Sequence, residues 1–359
     1  SVINGTNTTT FSIQSNSNPD LKWEVKHTFD AGLDFAAFGN RLNLTIDWYR
    51  SKTKDLLYTY TVPVPPFTYN TLLANMGSMS NNGLEFGLSR DIIRAKDFTF
   101  SSNINLSFQR NKLLSLDGTY KGQKLTTSEH IMVSRVNAAG LTQNYGVAYL
   151  IVGQPVGVFY LPHCEGIDKN GQYTISDLNH DGTIDTGDSG DRQVCGNAIP
   201  KTYLNWNFVF KYRNWDLTTQ FNGAFDFKIY NGTGMTYSNM NNFPTYNVLS
   251  NAPQKGIHDI QISDYWLQNG DYVNFEYLTL GYNFTKKQLK VKWLQSLRLA
   301  FSVNNVCTIT GYKGLTPMIN SASLAQQTEG TTQYGTLGVD DKRIYPLTRT
   351  FSLNVSVRF

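Results

Sequence analysis

The sequence predicts an all-β protein, a transmembrane antiparallel β-barrel with long extracellular loops. Three observations predict it: apolar and polar residues alternate, the alternating runs are about twice the length of soluble strands, and the connections run short, long, short, long. Residues 201–227, KTYLNWNFVFKYRNWDLTTQFNGAFDF, show the first two. Leu204, Trp206, Phe208 and Phe210 fall on one face against Asn205, Asn207 and Lys211. After a turn near Arg213-Asn214, Trp215, Leu217, Phe221, Phe225 and Phe227 alternate with Asp216, Thr218, Gln220, Asn222 and Asp226. Successive strand side chains point to opposite faces, so each run has one apolar and one polar face. A soluble strand averages about 5–6 residues. Roughly twelve residues rise about 40 Å and, tilted by about 45°, cover the ~25–30 Å apolar band of an outer membrane. A large soluble β-sandwich also alternates; recurrence of the pattern on long runs favours the barrel.

In chain order, residues 1–20 read as loop. Residues 28–38 alternate Phe29, Ala31, Leu33 and Phe35 against Asp30, Gly32 and Asp34, and a short turn at Gly39-Asn40 leads to 41–50, with Leu42, Leu44, Ile46 and Trp48 on one face. The TVPVPPF connection follows, where prolines bar a central strand. Residues 83–90 and 97–109 form the next pair, around a short turn at 94–96. The largest interruption is placed at 110–200, then come the hairpin above and a second long connection at 228–270. Strands at 271–284 and 297–304, a loop at 306–346 and a last strand at 349–359 complete about nine strands. Short turns on one side and long loops on the other are the asymmetry of outer-membrane barrels. With a periplasmic C-terminus, this parity leaves residues 1–20 outside, so the chain is expected to be the C-terminal part of a larger barrel.

Composition agrees. Mean hydropathy is −0.34, charged residues are 16% and aromatics 13%, and no run reaches the ~18 apolar residues of a membrane helix. Alternation hides a barrel's lipid face from such averages. A net charge of +4 over 359 residues gives no nucleic-acid signal. The start, SVINGTNTTT, reads as no signal peptide.

The most specific local motif is 177–188, DLNHDGTIDTGD. Asp177, Asn179 and Asp181 stand at loop positions 1, 3 and 5, Gly182 at 6, Thr183 at 7, Asp185 at 9 and Asp188 at 12. That is the spacing of an EF-hand-type loop with Asp for the usual Glu, and points to a structural calcium ion; an ion-free Asp/Asn/Gly turn is the bland alternative. Cys164 and Cys195 bracket the motif and could close a disulfide, or stay as two loop thiols. Cys307 reads as packing just past a strand. The five histidines form no zinc pattern, and no GxSxG, Walker or dinucleotide motif occurs. Tyr237, Tyr246, Tyr265, Trp266, Tyr312 and Tyr334 lie in long loops, where aromatics either contact ligand or partner or form interfacial girdles.

These residues resemble a known group, the SusC/RagA family of TonB-dependent outer-membrane transporters of the Bacteroidetes. The likeness covers nearly the whole chain. It is carried by 18–57, by NMGSMSNNGLEFGL at 75–88 with Asn75, Gly77, Asn81, Gly83 and Glu85 in an N-x-G-x-x-x-N-x-G-x-E pattern, by VGQPVGVFY at 152–160, by the calcium-like loop with IPK at 199–201, by DYVNFEYLTLGYNF at 271–284, and by Tyr345-Pro346, Arg349-Thr350-Phe351 and the terminal Phe359. Thr316-Pro317 departs from it, since such proteins often carry an acid before this proline. The resemblance implies a 22-stranded barrel with a plug domain that is absent from this chain. It further implies a SusD-like lipoprotein closing over the loops, and import of oligosaccharides or peptides driven by TonB through an N-terminal part. The expectation is therefore a transporter of the outer membrane and no enzyme. A non-transporting adhesive barrel and a soluble calcium-dependent β-rich lectin are the alternatives.

Overall fold

The computed structural model describes residues 2–3, 6–7, 15–125, 127–141, 146–291, 293–319, 326–328, 331–333, 336–342 and 345–359. Nine long strands form one antiparallel meander: β1 (Val25–Ala37), β2 (Leu42–Thr61), β3 (Thr71–Arg94), β4 (Phe98–Tyr120), β5 (Thr202–Tyr212), β6 (Trp215–Phe225), β7 (Tyr272–Phe284), β8 (Ser296–Thr310) and β9 (Thr350–Arg358). Each pairs with its neighbour in sequence, and Gln123–Leu125 folds back onto the end of β4. Among the described residues the sheet does not close on itself; β1 and β9 each keep one unpaired edge.

The register sorts the alternation into continuous rows. Phe35, Leu44, Leu88, Ile104, Trp206, Phe221, Phe275 and Cys307 are successive cross-strand partners from β1 to β8. The neighbouring row, one residue away on every strand, is Asp34, Thr45, Gly87, Asn105, Asn205, Asn222, Asn274 and Thr308. One face is thus apolar across eight strands and the other polar, because a single register repeats at period two. The apolar side chains are not in a closed core: Trp206 is 38% exposed and Leu353 72%, with Leu44 and Phe221 half-buried. Cys307 lies inside β8 rather than past a strand, and is exposed on this outer face.

The hairpin β5–β6 turns at Arg213-Asn214 as the sequence predicts. Strands β2, β3 and β4 run 20, 24 and 23 residues, well beyond the expected ends at 50, 83 and 109, so the first large interruption begins at 121 and not at 110. Their outer portions leave the apolar band, where alternation no longer marks a strand, yet the backbone ladder continues. Tyr60, Val62, Leu72, Ala74, Met76, Leu113 and Leu116 pack into a buried cluster at that end. The 75–85 motif explains this extension. Gly77 sits at φ +39°, with space for a Cβ taken by the Ser115 carbonyl, and the ring of Tyr49 occupies the space beside Gly83. Asn75 ties the strap 15–24 down: its Nδ2 donates to the Lys22 and Asp55 carbonyls at 2.8 Å each, and Lys22 N donates back to Oδ1 at 2.8 Å.

The connections 38–41, 95–97 and 213–214 are tight turns and 285–295 carries one short helix, Lys286–Leu289, whereas the longest connections, 121–201, 226–271 and 311–349, lie together with 62–70 at the opposite end. The prolines of TVPVPPF fall in 62–70, outside the strands.

Candidate functional site

The long loops build a second body at one end of the sheet. Short strands Ala148–Ile151, Val158–Leu161 and Gln193–Asn197 with the helix Gly232–Ser238 bury Val133, Val147, Phe159, Leu161, Tyr230, Met235, Ile257, Ile262, Trp266 and Val339 in one core. Burying so much loop backbone requires internal partners for its polar groups. Arg192, with its side chain out of solvent, donates to the carbonyls of Thr186, Gly146 and Tyr160 at 3.0 Å each and to Tyr149 Oη at 3.0 Å. Tyr149 in turn donates to Asp188. Asp340, fully buried, accepts from Thr233 Oγ1 at 2.5 Å and from Tyr312 Oη at 2.7 Å, joining the 226–271 and 311–349 connections. Burial pushes the Tyr149 and Tyr312 phenols up, so both act as neutral donors.

Between this body and the outer ends of β2–β4 lies a cavity of about 820 Å³, lined by Leu57, Met79, Leu113, His130, Met132 and Asp188 among others. His130 stacks on Tyr160 at 4.5 Å and so presents a rigid aromatic edge beside that cavity. A cavity of this size with mixed apolar and polar walls suits a small ligand or part of a chain-like one.

The loop aromatics separate by burial. Tyr246 is 52% and Tyr265 38% exposed, and Tyr237 is half-buried. Trp266 is corrected: it is 2% exposed, its Nε1 donating to Tyr173 Oη at 2.7 Å beneath the Lys255 ammonium, and it holds the loop core instead of facing ligand. Tyr312 is likewise buried on Asp340, and Tyr334 lies outside the described residues. At the Thr316 departure the hydroxyl accepts the Met318 amide at 3.2 Å.

In the 177–188 loop the oxygens mainly hold the backbone. Asp177 accepts from the His180 and Gly182 amides, Asn179 from Asp181, and Asp181 from Thr183, at 2.7–2.9 Å. Asp185 Oδ1 accepts the Gly187 amide, and Asp188 turns away to Tyr149 and Arg192. Asp188 is therefore drawn away from the other five positions of the motif, and among the described residues no group of three His, Cys, Asp or Glu side chains converges as a metal site. The organiser is Asp191, beyond the motif and fully buried, which accepts from Leu178, Asn179 and Asp185 amides. Those amides, Asp185 foremost, hold its carboxyl below the usual range. The signal for it was available: an Asp191-Arg192 pair just after the motif and outside any strand alternation.

Cys164 and Cys195 are free thiols in this structure. They sit on strands of two different small sheets, Cys164–Ile167 and Gln193–Asn197, and their sulfurs face the Gly166 and Gln193 carbonyls at 3.2 Å each. Burial pushes the Cys195 thiol up to about 12, which leaves it inert as a nucleophile.

His163 Nδ1 pairs with Asp264 Oδ2 at 2.7 Å, while Asp264 Oδ1 accepts the Cys164 amide at 2.8 Å, pinning two loops together. The hydrogen bond to Asp264 raises the His163 pKa. A raised pKa stabilises fully below the unfolded value near ~6.5 and is lost as pH rises through the folded value. Limited proteolysis of the loop body is thus expected to speed up across that window, and Asp264→Asn to abolish the pH dependence; a flat profile in the parent chain contradicts the pairing.

The family described as TonB dependent receptor-like, beta-barrel matches residues 2–224. TonB-dependent receptor P3 of Formosa agariphila is 28% identical over 96% of this chain and 35% of its own length. TonB-dependent receptor SusC of Bacteroides thetaiotaomicron is 27% identical over 95% of this chain and 32% of its own. The chain thus spans about a third of the length of the curated relatives it matches. Among solved structures, the RagAB peptide importer in its "open-open" state superposes with a TM-score of 0.76 at 20% identity, covering 100% of this chain and 37% of that one. At that identity the likeness concerns the fold.

Proposed function

Because the chain belongs to the TonB-dependent receptor β-barrel family, whose members are outer-membrane transporters and not enzymes, we propose that it supplies wall and extracellular loops to an importer. In this reading it forms the C-terminal part of a plugged barrel that takes up oligosaccharides or peptides with a SusD-like surface lipoprotein, energised through TonB. The observation that supports it most is the pair of adjacent rows from β1 to β8, one apolar throughout and one polar, with the three longest connections, 121–201, 226–271 and 311–349, gathered at one end. Such a sheet suits lipid outside and water inside. The loop body and its cavity of about 820 Å³ lie where incoming substrate and a lid would meet, with Tyr246 and Tyr265 as exposed aromatic contacts.

The test is uptake by cells carrying the full-length receptor, offered a defined peptide mixture and a defined oligosaccharide mixture. TonB-dependent depletion of one mixture is expected. Surface binding without depletion would favour the adhesive barrel and overturn the transport reading.

The 177–188 loop enters the proposal as a calcium loop of three side-chain ligands, Asp177, Asn179 and Asp181, supported by their spacing ahead of Gly182. Calcium is expected to slow protease cleavage of this loop, and Asp181→Ala to remove the difference. Equal cleavage of the parent chain with and without EDTA would take calcium out of the account.

A further inference from the structure

On the apolar face of the sheet, the last fully apolar row at the loop end is Ala31, Trp48, Leu84 and Phe108. The next row outward changes character at once. Arg50, Asn82 and Arg110 are successive partners across β2, β3 and β4, and the row beyond is Lys52, Ser80 and Lys112. Strands lie about 4.8 Å apart and same-face neighbours rise about 6.7 Å along a strand. The four cations therefore stand at the corners of a patch roughly 10 by 7 Å, with an amide and a hydroxyl between them. Lys54 and His27 extend it on β2 and β1.

All four are exposed, and none forms an ion pair with a described residue. No acid interrupts the two rows. Acids border them: Asp226, paired with Lys201 at 2.9 Å, lines the groove beside Arg110, and Asp20, Asp55 and Asp117 line the cleft that Lys52 shares with the 15–24 strap, Asp117 being taken by Lys124 at 2.9 Å. Off these rows, Arg298 meets Asp216 at 2.5 Å and Lys201 meets Asp226 at 2.9 Å. Four like charges within about a Debye length of one another, bordering an apolar surface, favour a bound anion. Below them, Trp48, Asn82, Leu84, Phe108 and Arg110, with the Lys201–Asp226 pair at its edge, line a groove of about 380 Å³ that joins the cationic rows to the apolar band.

We propose that this patch binds a phosphate-bearing lipid of the outer leaflet. Its headgroup phosphate lies between Arg50, Lys52, Arg110 and Lys112, and its acyl chains run down over Trp48, Leu84 and Phe108. The inference rests on the membrane reading above, which fixes which face meets lipid and which end is outermost. Arginine suits the phosphate through paired N–H donors and lysine as a point charge. The lipid would fasten the β2–β4 wall, the part that carries the longest strands and the floor of the loop body.

The experiment uses the full-length receptor in detergent, exposed to lipid A with its phosphates, to dephosphorylated lipid A and to inorganic phosphate, with retained lipid counted by native mass spectrometry. The variant R50Q/K52Q/R110Q/K112Q is compared with R90Q, because Arg90 stands alone between Leu42 and Ser102 at the far end of the same face. Each cation near an anionic lipid surface is worth roughly fivefold in affinity, so the quadruple variant is expected to retain at least about tenfold less lipid A, with R90Q unchanged. Equal retention by parent and quadruple variant overturns the proposal. Equal retention of dephosphorylated lipid A, or full displacement by inorganic phosphate, overturns it as well. Heat-modifiable gel mobility of the same samples reports barrel formation separately: loss of the mobility shift in the parent receptor tells against the barrel reading, whereas an intact shift without retained lipid tells against the lipid site alone.

Discussion

Phe208→Arg is expected to lower the stability of the full-length barrel in lipid by about 2–4 kcal/mol, the cost of a guanidinium on the lipid face near the bilayer midplane. Phe208 lies within the run Leu204, Trp206, Phe208, Phe210 on β5, packed among Trp206 at 4.5 Å, Phe100 at 6.0 Å and Phe221 at 6.1 Å between ring centres. An arginine there loses aromatic packing and has no acid partner on its row, whose neighbours are Ser102 and Thr219. Near the midplane it is also far from either interface to which it could reach. The measurement is the urea midpoint for unfolding from lipid vesicles, read by heat-modifiable mobility. Asn205→Arg is the companion, since Asn205 is exposed on the polar row between Asn105 and Asn222. It should change the midpoint little. Equal loss at both positions would show that the two faces are not lipid and water.

Gly77→Val carries the second large effect, a loss of about 2–6 kcal/mol, and it acts above the membrane. At φ +39° a β-branched residue is strained by about 1–3 kcal/mol, and overpacking typically adds about 1–3 kcal/mol more. The added Cβ would fall on the Ser115 carbonyl of β4, so relief requires β3 and β4 to part. That separation would open the Tyr60, Leu72, Ala74, Met76, Leu113 and Leu116 cluster and loosen the Asn75 clasp on the strap. Protease cleavage within 15–24 and 62–70 should rise sharply while the lipid-buried hairpin β5–β6 stays protected. Unchanged cleavage would mean that the bend at Gly77 is not required. The two variants thus separate bilayer energetics from loop-end packing, because one offends the lipid and the other only the protein.

Within the bilayer-height part of the sheet, sequence periodicity locates strands well. The turn at Arg213-Asn214 and the faces of β5 and β6 match as far as Phe225, since only one face of these strands contacts apolar surroundings. Phe227, expected on the same face, lies past the end of β6 and is buried with Ala224, Ile229 and Tyr312. Past that height both faces meet water or protein, and the outer portions of β2, β3 and β4 lose their sequence signature while keeping their ladder. The loop site was less legible for a related reason. Trp266 looks like a binding aromatic in sequence, but burial depends on what other loops bring to it, here Tyr173 and Lys255. Likewise the spacing 177–188 describes a metal loop, while Asp188 is drawn off by Tyr149 and Arg192, 39 residues back and four ahead.

Alternation at period two, unusual strand length and the short–long order of connections by themselves determined that this chain is a barrel wall with loops at one end. Those signals are local, and the contrast between lipid and water writes them into neighbouring residues. Only the tertiary structure decided that Asp191, Arg192 and Asp340 hold the loops as one body, and that Arg50, Lys52, Arg110 and Lys112 share a patch. Their partners lie on other strands and connections, and no spacing along one chain segment encodes a meeting that register and loop packing create.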